Sequence, residues 1–446
     1  MPTRSEVIQA ARFEYGIRPD ETRFSGGLLD QLTGPDPLDA QLPVENTKTR
    51  FVELIRLREL RRSAGGSSDV FKQAQRRLRR LGGVGAMHNL ARMVQNPRGF
   101  RERLFAFWLD HFTVSPKRAN EDYMLGAYLD DAIRPHISGH FADLLKAAVT
   151  HPSMLFYLDQ NASIGPNSQV GQRLGKGLNE NLAREVLELH TLGVDGPYTQ
   201  DDVRQFAELL TGLGIGGDGM HFAPNRAEPG QEQILGQSYG HSRASLDDIY
   251  AFLDDLAINP ATAAHLSRKL VAHFIGPADR PELVAKMAAA YLANGGALPA
   301  LYDVLINDPA AKAAVFPKVR PPFEYVATVL RALDYNADAI INANVKDTRK
   351  LGKALEAMGQ RPFKPGGPDG WPEAAESWIT PPQLAARIAW AGQAARTYGD
   401  TKDPRALLQA VLGDTAPEAL SFAVSGAETK WEGVALLLVS PSLMRR

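Results

Sequence analysis

Residues 177–193 read GLNENLAREVLELHTLG, and this stretch combines helical periodicity with acidic, basic and amide side chains. On a period of 3.6 residues, its apolar side chains share one face of a helix. Asn181, Glu185 and Glu188 fall together on another face. The pattern predicts an amphipathic helix that carries chemically active groups on one side.

The same helical period recurs along most of the chain, from residues 51–62 to residues 432–438. Apolar residues make up 44% of the 446 residues, which is enough for a sizeable core. No heptad run, internal repeat or alternation of strands with helices is present. We therefore predict a mainly α protein, a large multi-helix globular body with long irregular loops and at most a small β-hairpin, with strand character at 220–222 and 233–235.

We expect a single helical domain over residues 1–446, with two distinct subregions. Residues 1–47 form an N-terminal arm, and residues 48–103 form a basic helical hairpin that turns at 63–68. The hairpin region contains 15 Lys or Arg against 4 acidic residues. Such a surface can bind nucleic acid, phosphorylated ligands or an acidic partner, or it is a solvated face or pairs internally with acidic residues. The sequence leaves these interpretations open.

Composition excludes several classes of function. The chain has no cysteine, which rules out disulfides, thiolate metal sites and thiol nucleophiles. A net charge of −1 argues against nucleic acid as a partner. No membrane span or signal peptide is visible, so the chain as written is expected to be cytoplasmic. Export stays open if a leader was removed or a partner carries the signal.

Known catalytic motifs are absent, including those of metalloproteases, α/β-hydrolases and EF-hands, and there is no nucleotide or haem motif. The glycine-rich stretches at 212–219 and 171–177 lack the strand, helix and spacing of a phosphate-binding loop, so we interpret both as flexible loops. A divalent metal held by carboxylates remains an option.

Glu185 and Glu188 are the main catalytic candidates, because two carboxylates three residues apart suit acid–base work or a cation. The alternative is a structural network, in which Glu180 pairs with Arg184 and Asn179 caps the helix. Both interpretations stay open at this level.

A second candidate group lies at residues 104–112, LFAFWLDHF, where Trp108 and His111 share a helical face. We expect both to be core residues by default. A buried imidazole needs a polar partner, and Glu185 or Glu188 would serve if the two helices cross. His190 is expected to pack in the core.

These stretches resemble the domain of unknown function 1800 family, a group of uncharacterised bacterial proteins. The matching residues span nearly the whole chain: FWLDHFTVS at 107–115, NENLARE at 179–185, ELHTLG at 188–193, YTQDDV at 198–203 and DGWP at 369–372. The chain departs from the family pattern at Leu213, where a Trp is usual. It also departs at 227–230 with Glu232, where a His-acid pair and a Lys are common.

The resemblance implies a helical fold and no established activity. It also implies frequent genomic pairing with a second uncharacterised family, number 1501, whose members resemble sulfatases and alkaline phosphatases. Several relatives are exported.

Our leading hypothesis is a polar cleft where the acidic helix, the Trp108–His111 helix and the 369–371 loop converge, with hydrolase or transferase chemistry. The catalytic candidates are Glu185, Glu188 and His111. The substrate-binding candidates are Trp108, Asn181, Arg184, Asp369 and Trp371. The rival hypothesis is a non-catalytic scaffold or accessory protein that binds the sulfatase- or phosphatase-like partner through the basic hairpin.

Overall fold

The computed structural model describes residues 1–21, 24–116, 122–175, 177–217 and 219–446. The residues outside these ranges include Glu121, near which the sequence predicts that a helix begins. They also include Lys176 and Asp218, which belong to the two glycine-rich stretches. Within the described ranges, no helix has both the length and the apolar composition that a bilayer crossing requires.

The fold is mainly α, as predicted. The helices of the N-terminal half are α1 Arg4–Phe13, α2 Thr47–Ala64, α3 Asp69–Gln95, α4 Gly99–His111, α5 Asp122–Ala127, α6 Phe141–Thr150, α7 Pro152–Tyr157, α8 Gln169–Leu174, α9 Asn181–Glu185 and α10 Gln200–Leu209. Those of the C-terminal half are α11 Leu246–Ala257, α12 Pro260–Phe274, α13 Pro281–Ala293, α14 Leu298–Asn307, α15 Pro309–Lys312, α16 Pro322–Ala332, α17 Ala337–Ile341, α18 Val345–Ala357, α19 Pro381–Ala394, α20 Pro404–Leu412, α21 Glu418–Ser425, α22 Lys430–Leu438 and α23 Pro441–Met444.

Shorter helical segments connect these helices or extend them. Among the described residues, three segments are π-helical, at Tyr128–Ile133, Val186–Thr191 and Ala395–Gly399. Six segments in the same ranges are 3₁₀ turns, at Leu29–Leu32, Arg134–His136, Gln160–Ala162, Pro224–Arg226, Ala375–Trp378 and Gly413–Thr415.

Two antiparallel hairpins are present in the described residues, where the sequence predicted at most one. Strands β1 (Leu213–Gly216) and β2 (Gly219–Phe222) form the first, and β3 (Glu232–Ile234) and β4 (Gln237–Tyr239) form the second. The second hairpin turns through Leu235 and Gly236, which have φ of 50° and 79°. Two consecutive positive φ angles suit a tight hairpin turn, but leucine seldom adopts one, so the sequence did not predict the turn.

The two glycine-rich stretches are more ordered than the predicted flexible loops. The first contributes β1 and the start of β2. The second overlaps the end of α8, which Ser168 caps by accepting a hydrogen bond from the Gly171 N–H at 3.0 Å. A Cβ atom on Gly171 would lie 2.1 Å from the Gly165 carbonyl oxygen. Gly171 is therefore needed for close packing of the backbone and not for flexibility of the chain. The amino-acid composition alone does not distinguish these two roles of glycine.

Helix α4 runs through the main hydrophobic core, with Phe100, Leu104, Phe105 and Trp108 all fully buried. Helices α6, α10, α11, α12 and α14 supply many of the other residues of this core. Because α4 is buried on nearly every side, its few polar residues must find partners inside the protein. The position of α4 in the core therefore determines where its polar side chains lie.

The two predicted subregions have defined structures. In the arm, the Arg12 guanidinium donates to the carbonyl oxygens of Phe274, Ala313 and Val315, at 3.2, 2.9 and 2.7 Å. In residues 48–103, α2 ends at Ala64 and α3 runs from Asp69 to Gln95.

Candidate functional site

A cavity of about 140 Å³ lies between α4 and the segment that follows α18, and we call it the Asp110 cavity. Its polar wall is formed by Tyr15, Asn89, Arg103, Asp110, Thr113, His273, Glu324, Gln360 and Glu373. Its apolar wall includes Met93, Ala106, Leu109, Val114, Leu125, Phe323, Phe363 and Trp371. A mostly apolar pocket with a few convergent polar groups is the usual form of a small-molecule site.

Asp110 is held in place by the loop at 369–371. The Trp371 backbone N–H donates to Asp110 Oδ1 at 2.9 Å. Gly370 adopts a φ of +83°, and a Cβ atom there would lie only 2.7 Å from the same oxygen. Only glycine allows the loop to approach the carboxyl group so closely in this backbone conformation.

Burial raises the pKa of Asp110 to about 7. The Trp371 hydrogen bond and the positive charge of Lys269 lower it in part, whereas Glu373 and Asp369 raise it. A carboxyl group with a pKa near neutrality exists in both protonation states at physiological pH. Asp110 therefore has the property required of a general acid or base.

Lys269, on α12, is the cation whose charge lowers the pKa of Asp110. Burial lowers the pKa of its ammonium group, while Asp110, Glu373 and Asp369 raise it. With the residues that the structure describes, Lys269 forms no hydrogen bond and no ion pair within 4.0 Å. The Lys269 ammonium group thus has no hydrogen-bond or ion-pair partner among the described residues.

Glu373 anchors a second group of charges on the cavity wall. Its Oε1 lies 2.6 Å from His273 Nδ1, and its carboxylate is also bonded to the Lys318 ammonium. Burial opposes ionisation of Glu373, but His273, Lys318 and Arg446 together hold its pKa well below the usual range. Burial lowers the pKa of His273 to about 4, so near neutrality its ring is neutral and donates a hydrogen bond to the carboxylate.

His111 bonds to the carbonyl oxygen of His190 through Nε2 at 3.0 Å. The partner expected from the sequence was Glu185 or Glu188, so that expectation was wrong. The carbonyl lies at the end of the π-helical segment, where the last carbonyl groups lack partners within the helix. Burial, together with Lys269, holds the pKa of His111 well below its usual value. The His111 ring is therefore neutral in the fold.

Trp108 and His190 are packed in the core. Trp108 is fully buried, and its indole N–H donates to the Tyr302 hydroxyl at 2.6 Å. His190 is buried, as expected, and burial lowers its pKa to about 3. Neither side chain is among the described residues that line the Asp110 cavity.

The polar residues of the acidic helix form a partly paired group. Arg184 contacts Glu180 and Glu188, both at 3.2 Å, which confirms the predicted ion pair with Glu180 and adds a second one. The Asn179 side chain accepts from the Asn181 N–H at 2.9 Å, but the residue that directly precedes α9 is Glu180, which has no side-chain cap.

Glu185 differs from its neighbours. It is half-buried and forms no hydrogen bond or ion pair with the part of the chain that the structure describes. Burial raises its pKa, as does the charge of Glu188. The charge of the exposed Asp369 also raises the pKa of Glu185, and the same charge raises the pKa of Asp110. Asp369 thus links the acidic helix electrostatically to the cavity, although Glu185 and Glu188 are not among its described lining residues.

No cluster of three or more His, Asp or Glu side chains in the described ranges has the arrangement of a metal site. The role of these residues toward a divalent cation therefore stays a prediction.

A family model matches residues 9–445, nearly the whole chain, and its description is "Protein of unknown function (DUF1800)". The chain belongs to the DUF1800 family. Neither the curated proteins nor the solved structures include a significant match to it.

In this DUF1800 chain, three of the stretches that carry the resemblance meet in space. Asp110 bonds to the backbone of Trp371, and the neighbouring His111 bonds to the backbone of His190. Helix α4 therefore lies between the loop at 369–371 and the acidic helix.

The two departures from the DUF1800 pattern lie outside the cavity wall. Leu213 is buried in β1. Glu232 lies in a buried acidic group with Glu208 and Glu228, and burial together with Glu208 raises its pKa to about 7.

Sequence reasoning missed the polar wall residues of this DUF1800 site, among them Arg103, Asp110, His273 and Glu373, and it also missed Lys269. Two of these residues could have been identified from the sequence. Asp110 lies inside the quoted stretch 107–115, and Glu373 directly follows the stretch 369–372. Lys269 and His273 are four residues apart on α12, so they share a face, but nothing in the sequence connects that face to α4.

Proposed function

We propose that this protein is an enzyme that carries out hydrolysis or group transfer on a small molecule bound in the Asp110 cavity. The observation that supports this most directly is the Asp110 carboxyl group on the cavity wall, fixed by Trp371 and Gly370. Asp110 acts as the general acid or base, and Lys269 stabilises negative charge that develops beside it.

Glu185 and Glu188 are the second pair of acid–base candidates, and the charge of Asp369 connects Glu185 with Asp110. Glu185 is not paired within the described chain, and its raised pKa favours proton transfer. Asp369 and Trp371 belong to the loop that closes the cavity, so they are placed to contact a substrate. Arg184 and Asn181 would contact a substrate that extends toward the acidic helix. His111 acts by positioning that helix through the His190 carbonyl.

The test is a turnover assay on a panel of chromogenic carboxylic, phosphate and sulfate esters and glycosides, comparing wild type with Asp110→Asn. We expect a loss of about 100- to 10,000-fold for any substrate that is turned over, the usual contribution of a general acid–base group. Asp143→Asn, which changes an exposed aspartate on α6, is the matched control. Undiminished turnover by Asp110→Asn would remove the acid–base role from this residue.

A second candidate function is that of a non-catalytic accessory protein. Between residues 56 and 80, nine exposed cations face only two exposed acids, Glu59 and Asp69. The nine are Arg56, Arg58, Arg61, Arg62, Lys72, Arg76, Arg77, Arg79 and Arg80. An acidic partner, such as the sulfatase- or phosphatase-like protein to which the family resemblance points, would bind this surface. Co-purification that survives charge reversal at Arg76, Arg77, Arg79 and Arg80 would exclude the hairpin as the binding surface.

A further inference from the structure

Positive charge exceeds negative charge at the buried end of the Asp110 cavity. Glu324 is contacted there by Arg103 Nη1 at 2.5 Å, by Arg320 Nη1 at 2.6 Å and by Arg446 Nε at 3.1 Å. Lys318 adds a fourth cation, which pairs with Glu373. Four cations, each with a side chain no more than 3% exposed, thus face two carboxylates, of which Glu324 is buried and Glu373 is exposed.

Arg387 increases this excess. Its side chain is fully buried, and its guanidinium carbon lies 5.2 Å from the centre of the Tyr325 ring. None of its three guanidinium nitrogens has a hydrogen-bond partner in the described chain. The charge of Glu324 raises the pKa of Arg387, so this carboxylate interacts with a further arginine besides the three that contact it. An uncompensated buried charge is costly, which favours binding of an anion nearby.

Arg103 is the member of this group that lines the cavity. Its side chain is only 2% exposed, and Nη1 is used by Glu324. Nε and Nη2 are buried and have no hydrogen-bond partner among the described residues. A guanidinium group offers a rigid fork of donors that matches the oxygens of a carboxylate, phosphate or sulfate group.

Asn89, on the same wall, has an unsatisfied amide as well. Its Oδ1 is buried without a partner in the described chain. The oxygen and nitrogen of such an amide are interchangeable in assignment, so a flipped Asn89 would offer an N–H to an anion. Two polar groups on the cavity wall therefore lack a partner in the described chain, and a bound oxyanion would supply one.

The remaining wall is apolar and limits the size of the ligand. Phe323, Phe363 and Trp371 contribute aromatic surface, and Met93 and Leu125 contribute aliphatic surface. The volume of about 140 Å³ is close to that of an engineered apolar cavity of roughly 150 Å³ that binds benzene. A group about the size of one ring fits beside the polar end.

We propose that the Asp110 cavity binds a small organic acid, an oxyanion joined to a compact apolar group, with the oxyanion on Arg103 and the apolar group against Phe363 and Trp371. The inference rests on the proposed function, because it names the substrate class of the same site. Asp110 then faces the bound molecule from the wall formed by the end of α4.

The experiment is calorimetric titration of the full chain with benzoate, phenyl phosphate and benzenesulfonate, with benzyl alcohol as the neutral analogue. At least one anion should bind tenfold or more tightly than benzyl alcohol, and the three anions distinguish carboxylate, phosphate and sulfate recognition. Arg103→Met should weaken that anion about 10- to 100-fold, as expected for the loss of charge-assisted hydrogen bonds. Arg101→Met is the control, because Arg101 lies on the same helix and bonds to the Leu32 carbonyl oxygen instead.

Arg103→Lys keeps the positive charge beside Glu324 while removing the fork of donors, so it serves if Arg103→Met does not fold. It should also weaken anion binding. Unchanged anion affinity in the folded Arg103 variant would overturn the proposal. So would benzyl alcohol binding as tightly as the anions, or no anion binding at millimolar concentration.

Asp110→Asn separates this inference from the proposed function. We expect it to lose turnover and to keep anion binding, because Asp110 does not hold the oxyanion. If Asp110→Asn keeps turnover while Arg103→Met loses anion binding, the acid–base function fails and the anion site stands. If Asp110→Asn loses turnover while the anions bind equally to wild type and Arg103→Met, the anion site fails and the acid–base function stands.

Discussion

The backbone N–H of Trp371 donates a 2.9 Å hydrogen bond to the carboxyl group of Asp110, 261 positions away along the chain. This bond closes the loop at 369–371 onto the end of α4 and forms one side of the cavity. The properties of Asp110 therefore depend on how closely the loop approaches.

Gly370→Ala tests that approach. The new Cβ would lie 2.7 Å from Asp110 Oδ1, on a residue with a φ of +83°. We expect a loss of about 1–3 kcal/mol of unfolding free energy from the clash and the strain. Urea denaturation measures it. Gly366→Ala is the control, because a Cβ there meets nothing within 4 Å and the change to the unfolded chain is the same. Equal stability of the two variants would contradict the close packing.

Asp110→Asn should change the pH dependence of stability. Burial raises the pKa of Asp110 from 3.8 to about 7, so the folded protein holds a proton that the unfolded chain releases. The contribution of the neutral carboxyl group is fully present below pH about 4 and is lost as the pH rises to about 7. Wild type should therefore lose stability relative to Asp110→Asn over this interval.

The size of that change is a few kcal/mol at most, because one unit of pKa shift corresponds to about 1.4 kcal/mol. Denaturation of both proteins from pH about 4 to about 8 measures it. Parallel curves for the two proteins would show that Asp110 ionises normally in the fold.

Glu185→Gln and Glu188→Gln should have different effects. Glu185 is half-buried beside Glu188, with no ion pair in the described chain, so its neutralisation should raise stability by about 0.5 kcal/mol. Glu188→Gln removes the 3.2 Å contact with Arg184, so it should lower stability by up to about 0.5 kcal/mol. Thermal denaturation compares them. A loss of stability in Glu185→Gln would favour the structural network over a functional role.

Glu324→Gln should be strongly destabilising. It leaves Arg103, Arg320 and Arg446 without their shared carboxylate in a buried site. We expect a loss of about 3–5 kcal/mol. Glu356→Gln breaks an exposed pair with Arg361 and should cost less than about 1 kcal/mol. Comparable losses in the two variants would show that the buried network is not what holds this region.

The helical fold could be predicted from the sequence because its cause is local. Periodicity indicates α6 at 141–150, and Thr199 with Asp202 three residues later predicts the capping box that begins α10. The π-helical turn at 186–191 could not be predicted in this way, because hydrogen bonds to residues far along the chain determine how that helix ends.

The candidate site was only partly predictable for the same reason. Trp371 was a candidate from the sequence and it lines the cavity, but the pKa of Asp110 depends on burial and on Lys269, which come from separate parts of the chain. Arg103 looks like one more surface cation in a basic region, and only the fold brings it against Glu324. The basic character of residues 48–103 therefore concealed three buried arginines, Arg50, Arg92 and Arg103, among exposed ones.

The walls of the Asp110 cavity are drawn from Tyr15 at one end of the chain to Glu373 near the other. Contacts between residues so far apart require closure of very long loops, and such contacts form late in folding. The cavity should therefore be missing from partly folded states and from separate halves of the chain. Ligand binding to it would then report completed folding, and a fragment that contains only α4 would retain none.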